Sequence, residues 1–198
     1  FRFFDGLRVA LHKNMQFEQV ICFRDDAVFP NQGFDKWVAE AFYRDPVDLL
    51  AVADRNYYAE GFLRVADLFS RWYVPHETFD RTPQPVTAHT AVFCMTAKLV
   101  KELFYRRLLV PPGYAEWPLS FGSYVTWACH LLMLSSRMVG TMDKPVPPFY
   151  VNDGWGGAYN PPPHLLHPGV LVYWSIRRSA GYGESDLRDW INKRTRAP

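Results

Sequence analysis

An unbroken apolar run that stops at two adjacent carboxylates constrains this chain more than any other feature. Within residues 17–42, FEQVICFRDDAVFPNQGFDKWVAEAF, Val20, Ile21, Cys22 and Phe23 are apolar without interruption, and Asp25 and Asp26 follow almost at once. A short strand buried on both faces of a parallel sheet gives such a run, whereas a half-buried strand alternates. From Phe34 the period changes. Phe34, Trp37, Val38, Ala41 and Phe42 fall on one helical stripe, with Asp35, Lys36 and Glu40 off it. The segment therefore reads as strand, acidic turn, helix. In open α/β sheets ligands bind beyond the carboxyl ends of the strands, so Asp25 and Asp26 stand where a pair of hard oxygen ligands holds a divalent cation.

The same alternation recurs along the chain. Leu7, Val9, Ala10 and Leu11 suit a helix beside the first strand, with Gly6 at its start. Residues 48–53 predict a second strand that delivers Asp54 and Arg55 to the same sheet edge as Asp25 and Asp26. Helical spacing of Phe62, Val65, Ala66, Leu68, Phe69 and Trp72 follows, ended by Pro75, and 76–85 is a polar loop. Residues 92–95 read as strand, Thr96 as an N-cap, and 97–108 as a helix with Leu99, Val100, Leu103 and Phe104 inward. Pro111, Pro112 and Gly113 break the chain before an apolar helix starting near Ser120 or Ser123, in whose middle His130 is a packed core histidine. Residues 143–170 form a long Pro, Gly and aromatic loop, and Ser185 caps a last helix. The expected architecture is a single α/β domain spanning 1–198, with a mixed, mostly parallel sheet flanked by helices.

Composition removes several classes of function. A chain of 198 residues with 48% hydrophobic and 17% aromatic residues has material for a real core. The formal net charge of +2, with bases scattered among acids, argues against a surface built to neutralise nucleic-acid phosphates. Apolar stretches fall short of the roughly 20 residues needed to cross a bilayer, so no membrane span is expected in this chain. Cys22, Cys94 and Cys129 are odd in number and form no CxxC pair, which fits reduced, buried thiols in a cytoplasmic protein.

Phe23, Arg24, Asp25, Asp26, Ala27, Val28 and Phe29, read together, resemble the signature of GT-A-type nucleotide-sugar glycosyltransferases, and within them the lipooligosaccharide-type enzymes. Those chains carry a strand, a Glu-Asp-Asp or Asp-x-Asp signature, a small residue, an apolar residue and then a helix. Arg24 stands where the family has its first acid. The resemblance implies a nucleotide-diphosphate sugar donor, a hydroxyl acceptor such as a glycan, and Mn²⁺ or Mg²⁺ bridging the donor phosphates to Asp25 and Asp26. It also implies a late His as a third metal ligand, for which His167, with His164 beside it, fits by order in the chain, and a carboxylate general base, for which Glu116 is the candidate. Trp117 and Trp155 offer aromatic platforms for sugar rings, Asp153 and Tyr159 accompany them on the acceptor side, and Arg177 and Arg178 suit contact with a diphosphate. Only 22 residues precede Phe23, whereas a GT-A domain spends several βα units on the nucleotide first, so an upstream nucleotide-binding segment is expected outside this chain. Two further classes compete. A non-catalytic carbohydrate- or partner-binding domain is favoured by Arg24, and a metal-dependent hydrolase also uses carboxylates at strand ends, though no cluster of His and Asp accompanies Asp25.

Overall fold

The structure is a computed structural model, and it describes residues 2–24, 27, 29–53, 86–109, 121–141, 149–151 and 169–174. Three largely apolar runs become the strands β1 (Gln19–Phe23), β2 (Leu49–Ala53) and β3 (Ala88–Thr96), and the mixed segment SRMVGT adds β4 (Ser136–Thr141) to the same sheet, ordered β1-β3-β2-β4. Two short strands, β5 (Phe149–Val151) and β6 (Val172–Trp174), pair in parallel as a separate sheet. The helices are α1 (Arg2–His12), α2 (Phe34–Arg44), α3 (Ala97–Tyr105) and α4 (Phe121–Leu131). The α/β class and the mixed sheet follow directly.

Strand direction departs from expectation. β3 runs antiparallel to both β1 and β2, with Cys22 opposite Phe93 and Leu50 opposite Cys94, while β4 runs parallel to β2. Two of the three pairings in the four-stranded sheet are therefore antiparallel, and that sheet is not mostly parallel. The reason is physical: an uninterrupted apolar run reports burial on two faces and carries no information about direction. β3 is such a strand, with Phe93 and Met95 in one core cluster and Val92 and Cys94 in the other. β1 is corrected too. It lies at the end of the strand order, where only Cys22 is buried; Val20 and Ile21 are half-covered by opposite clusters, which makes both apolar without central burial.

The sheet is the middle of three layers. On one face Leu7 of α1, Leu99, Val100 and Leu103 of α3, and Tyr124, Val125, Ala128 and Cys129 of α4 pack on Leu49, Ala51, Phe93 and Met95. On the other, Phe34, Val38, Ala41 and Phe42 of α2 join Phe149 and Val172 against Leu50, Val52, Val92 and Cys94. The helical stripe read from the sequence of α2 is the face it buries. Thr96 caps α3 as expected, its hydroxyl accepting from Leu99 N at 3.3 Å, and the helix ends at Tyr105, three residues before the predicted limit.

The ends of α1, α3 and α4 share one device. Met15 N donates to Ala10 O, Leu108 N to Leu103 O and Leu134 N to Cys129 O, and the residue before each donor takes positive φ: Asn14 at 52°, Arg107 at 60° and Met133 at 55°. This is the left-handed helix cap that glycine occupies at least cost. None of the three is glycine. His130, expected in mid-helix, falls in the last turn of α4, where partial burial lowers its pKa and its Nε2 is enclosed without a hydrogen-bond partner.

Gly6 does not start α1; it sits inside it, and a Cβ there meets nothing within 4 Å. Gly6→Ala is therefore expected to stabilise the fold by about 0.5–1 kcal/mol, read as a rise of about 1–4 °C in a thermal melt followed by circular dichroism. An unchanged or lower Tm contradicts the helix register.

Cys22, Cys94 and Cys129 are free and buried. Burial pushes the Cys22 and Cys129 thiols up from 9.0 to about 12, and pushes Cys94 up further. Above pH 9 the native chain thus holds protons that the unfolded chain releases. Stability is fully present below that pH and falls as pH rises toward 12, with a slope of at most about 1.4 kcal/mol per pH unit for each thiol. Urea midpoints measured between pH 8 and 11 should decline steadily; a flat profile contradicts the burial of these groups.

Candidate functional site

β1, β2 and β4 share a direction, so Phe23, Ala53 and Thr141 all end at one edge of the sheet, where β3 begins at Ala88. The chain segments that carry Asp25, Asp26, Asp54 and Arg55 leave the sheet from this edge, as the sequence leads one to expect of the strand ends. Those four residues themselves lie outside the described residues. The described residues flanking the acidic pair are tied together, since Ala27 N donates to Arg24 O at 3.0 Å. The edge is also irregular. Between Ala51 and Ala53 the register shifts against both neighbours, because Ala51 faces Phe93 and Met138 while Ala53 faces Ala88 and Thr141. Bulges of this kind interrupt the ladder and gather near active sites.

Directly after β1 the chain builds a recess of about 740 Å³, walled by Ile21, Phe23, Phe29 and Phe34 and edged by Asn31 and Lys36. The walls are a relay of aromatic contacts. Phe23 meets Phe29 edge-on at 5.1 Å, Phe29 meets Phe34 at 5.4 Å, and Phe34 and Trp37 each meet Phe149 of β5 edge-on at 5.4 Å. Such pairs fix ring orientation beyond the area they bury. Phe23 remains 45% exposed, which leaves an aromatic face open at the sheet edge. Two details hold the loop in place. Asn31 Nδ2 donates to Val170 O at 2.6 Å, and Gly33 enters α2 at φ 97°, a conformation costly for any other residue. The loop after β1 is thereby fastened to the small sheet.

The loop read over 143–170 is interrupted, because Phe149, Tyr150 and Val151, aromatic and β-branched, form β5 inside it. β5 ends at Val151 and β6 starts at Val172, so the chain that contains Asp153, Trp155, Tyr159, His164 and His167 leaves from one and returns to the other. The parallel register of Val151 with Trp174 sends the segments toward Asp153 and toward Arg177 and Arg178 from the same end of the small sheet. Glu116 and Trp117 belong to the interval between Leu109 and α4. All of these candidates, together with the predicted helix over 59–72, the loop over 76–85 and the Ser185 cap, lie outside the described residues. Among the described residues no group of three His, Cys, Asp or Glu could hold a metal ion.

A second cleft opens at the opposite edge, where sequence reading anticipated nothing. Asp48, 8% exposed, accepts hydrogen bonds from Thr96 Oγ1 at 3.3 Å, Ser135 N at 3.1 Å and Ser135 Oγ at 3.3 Å, with Lys98 Nζ at 3.5 Å. One carboxylate thus joins the start of β2, the end of β3 and the approach to β4. With its acceptor sites used inside the fold, Asp48 is a staple rather than a ligand in waiting. No helix among the described residues is long and apolar enough to cross a membrane. No family model, curated protein or solved structure matches the chain.

Proposed function

We propose that the chain is a metal-dependent glycosyltransferase of GT-A type, moving a sugar from a nucleotide-diphosphate donor to an acceptor hydroxyl. One observation carries this reading. The strand preceding Asp25 and Asp26 leaves the sheet at the edge where β2 and β4 also end, beside an aromatic-walled recess and a break in the ladder. Carboxylates supplied at such an edge are hard oxygen donors, suited to Mn²⁺ or Mg²⁺. Asp25 and Asp26 would hold the ion, with His167 as a further ligand; when bound, it neutralises charge that builds on the departing nucleotide diphosphate. In this reading Arg177 pairs with diphosphate oxygens. Glu116 takes the proton from the acceptor hydroxyl, which requires direct hydrogen-bond reach. Trp117 and Trp155 stack on sugar rings, and Asp153 and Tyr159 orient the acceptor through hydrogen bonds.

Sugar transfer to water or to a panel of glycans, followed by release of nucleotide diphosphate, tests the assignment. Asp26→Ala is expected to lower metal-dependent transfer by at least about 100-fold, because the developing charge loses its counterion. Unchanged activity and unchanged metal dependence would sink the reading.

A non-catalytic glycan-binding domain is the second reading, and Arg24 beside an exposed Phe23 favours it. It predicts glycan binding without nucleotide or metal. Such binding, lost in Phe23→Ala and indifferent to chelator, would decide for it.

A further inference from the structure

We infer that the chain has a phosphate-binding recess between α1 and the end of α3, an inference independent of the transferase reading. The recess, about 440 Å³, is lined by Arg8, His12, Phe104, Tyr105, Arg107 and Leu109. Two guanidinium groups and an imidazole line one concavity that no carboxylate among the described residues lines. Arg8 has a neighbouring acid, Asp5, but at 4.0 Å between side chains 52% and 69% exposed, a contact of little strength. Arg106, the adjacent base, is held elsewhere by Glu102 at 3.0 Å. Arg107 makes no ion pair among the described residues.

The backbone supplies the second argument. Arg107 occupies the left-handed cap of α3 at φ 60°, where glycine would cost least. The side chain that this cap carries is cationic, and it is among those that line the recess. His12 lies edge-on to Phe104 at 5.5 Å, a contact that favours this ring orientation. Two guanidinium groups lining one recess repel, and an anion with several acceptor oxygens relieves that repulsion. Guanidinium forks match phosphate oxygens two at a time, whereas a carboxylate uses fewer of the available donors. Phosphate is therefore the anion the set fits. The exposed ring of Tyr105 and the apolar edges of Phe104 and Leu109 suit a phosphate ester with an organic substituent over the bare ion.

The cap makes a discriminating variant available. Arg107→Gly removes the cation while easing the backbone, so it should fold at least as well as the parent chain. Calorimetric titration of the full chain with inorganic phosphate and with glycerol phosphate is expected to show saturable binding. Affinity should fall at least about tenfold in Arg107→Gly and in Arg8→Gln, with thermal stability kept or raised in the first. Sedimentation with phosphatidylglycerol vesicles, set against phosphatidylcholine vesicles, separates the sources. Preferential capture by the former identifies a lipid headgroup, and binding of glycerol phosphate without vesicle capture identifies a soluble ester. Absence of binding to every probe, or binding undiminished in both variants, overturns the inference.

Discussion

Gly122→Ala is expected to destabilise the protein more than any other single-methyl change, by upwards of about 3 kcal/mol, a large share of a typical stability of about 5–15 kcal/mol. A Cβ at Gly122 would collide with Ala88 O and lie 2.8 Å from the carbonyl carbons of Ala88 and His89. All three are backbone atoms, so no side chain can swing aside. The contact exists because α4 is locked onto the start of β3 by a buried hydroxyl: Ala88 N donates to Thr126 Oγ1 at 2.9 Å, and Thr126 Oγ1 donates to Gly122 O at 2.8 Å. To admit the methyl group the helix must lift from the strand, breaking both bonds and uncovering Val125, Ala128 and Cys129. Urea denaturation of the variant measures this directly. A midpoint within error of the parent would mean that α4 does not approach β3 in this way.

The second large effect is expected at Asp48. Asp48→Ala should cost about 3 kcal/mol, equivalent to about 6–12 °C in Tm for a chain of this size. The loss exceeds that of a surface ion pair because the buried Asp48 carboxylate accepts from Thr96 Oγ1, Ser135 N and Ser135 Oγ, and all three bonds tying β2, β3 and β4 together go at once. Lys98 contributes little to it, its side chain being 66% exposed. Lys98→Ala is accordingly expected to change Tm by less than about 2 °C, and the contrast between the two variants separates a hydrogen-bonded staple from a simple charge pair. Equal effects would contradict the network.

The local grammar of this fold was legible, and its long-range geometry was not. The change from an apolar run to a helical stripe located β1 and α2, and Thr96 announced its own helix, because these signals come from neighbours within a turn or two. Direction of pairing escaped, since the apolar runs of β2 and β3 look alike whichever way the partner runs. The first residues of β3 escaped as well: His89 and Thr90 interrupt the apolar pattern, and only pairing of Ala88 with Ala53 extends the strand to them. Asp48 was read as the beginning of a strand because its partners Thr96 and Ser135 stand 48 and 87 residues away. The aromatic recess had a faint signal in the closely spaced Phe23, Phe29 and Phe34, but Phe149 joins them only through the packing of β5 on α2. Of the candidate site, the carboxyl-edge position of β1 was foreseen, and the residues proposed for chemistry lie outside the described ones.

The proposed donor site at the carboxyl end of β1 depends on a divalent metal. Calorimetric titration of the chain with UDP-, GDP- and CMP-sugars, in Mn²⁺ and in chelator, tests it most directly, with the double variant Asp25→Ala/Asp26→Ala as control. The account predicts that one nucleotide sugar binds in Mn²⁺, and that chelator and the double variant each abolish the heat. Binding that persists in chelator and in the double variant would contradict it.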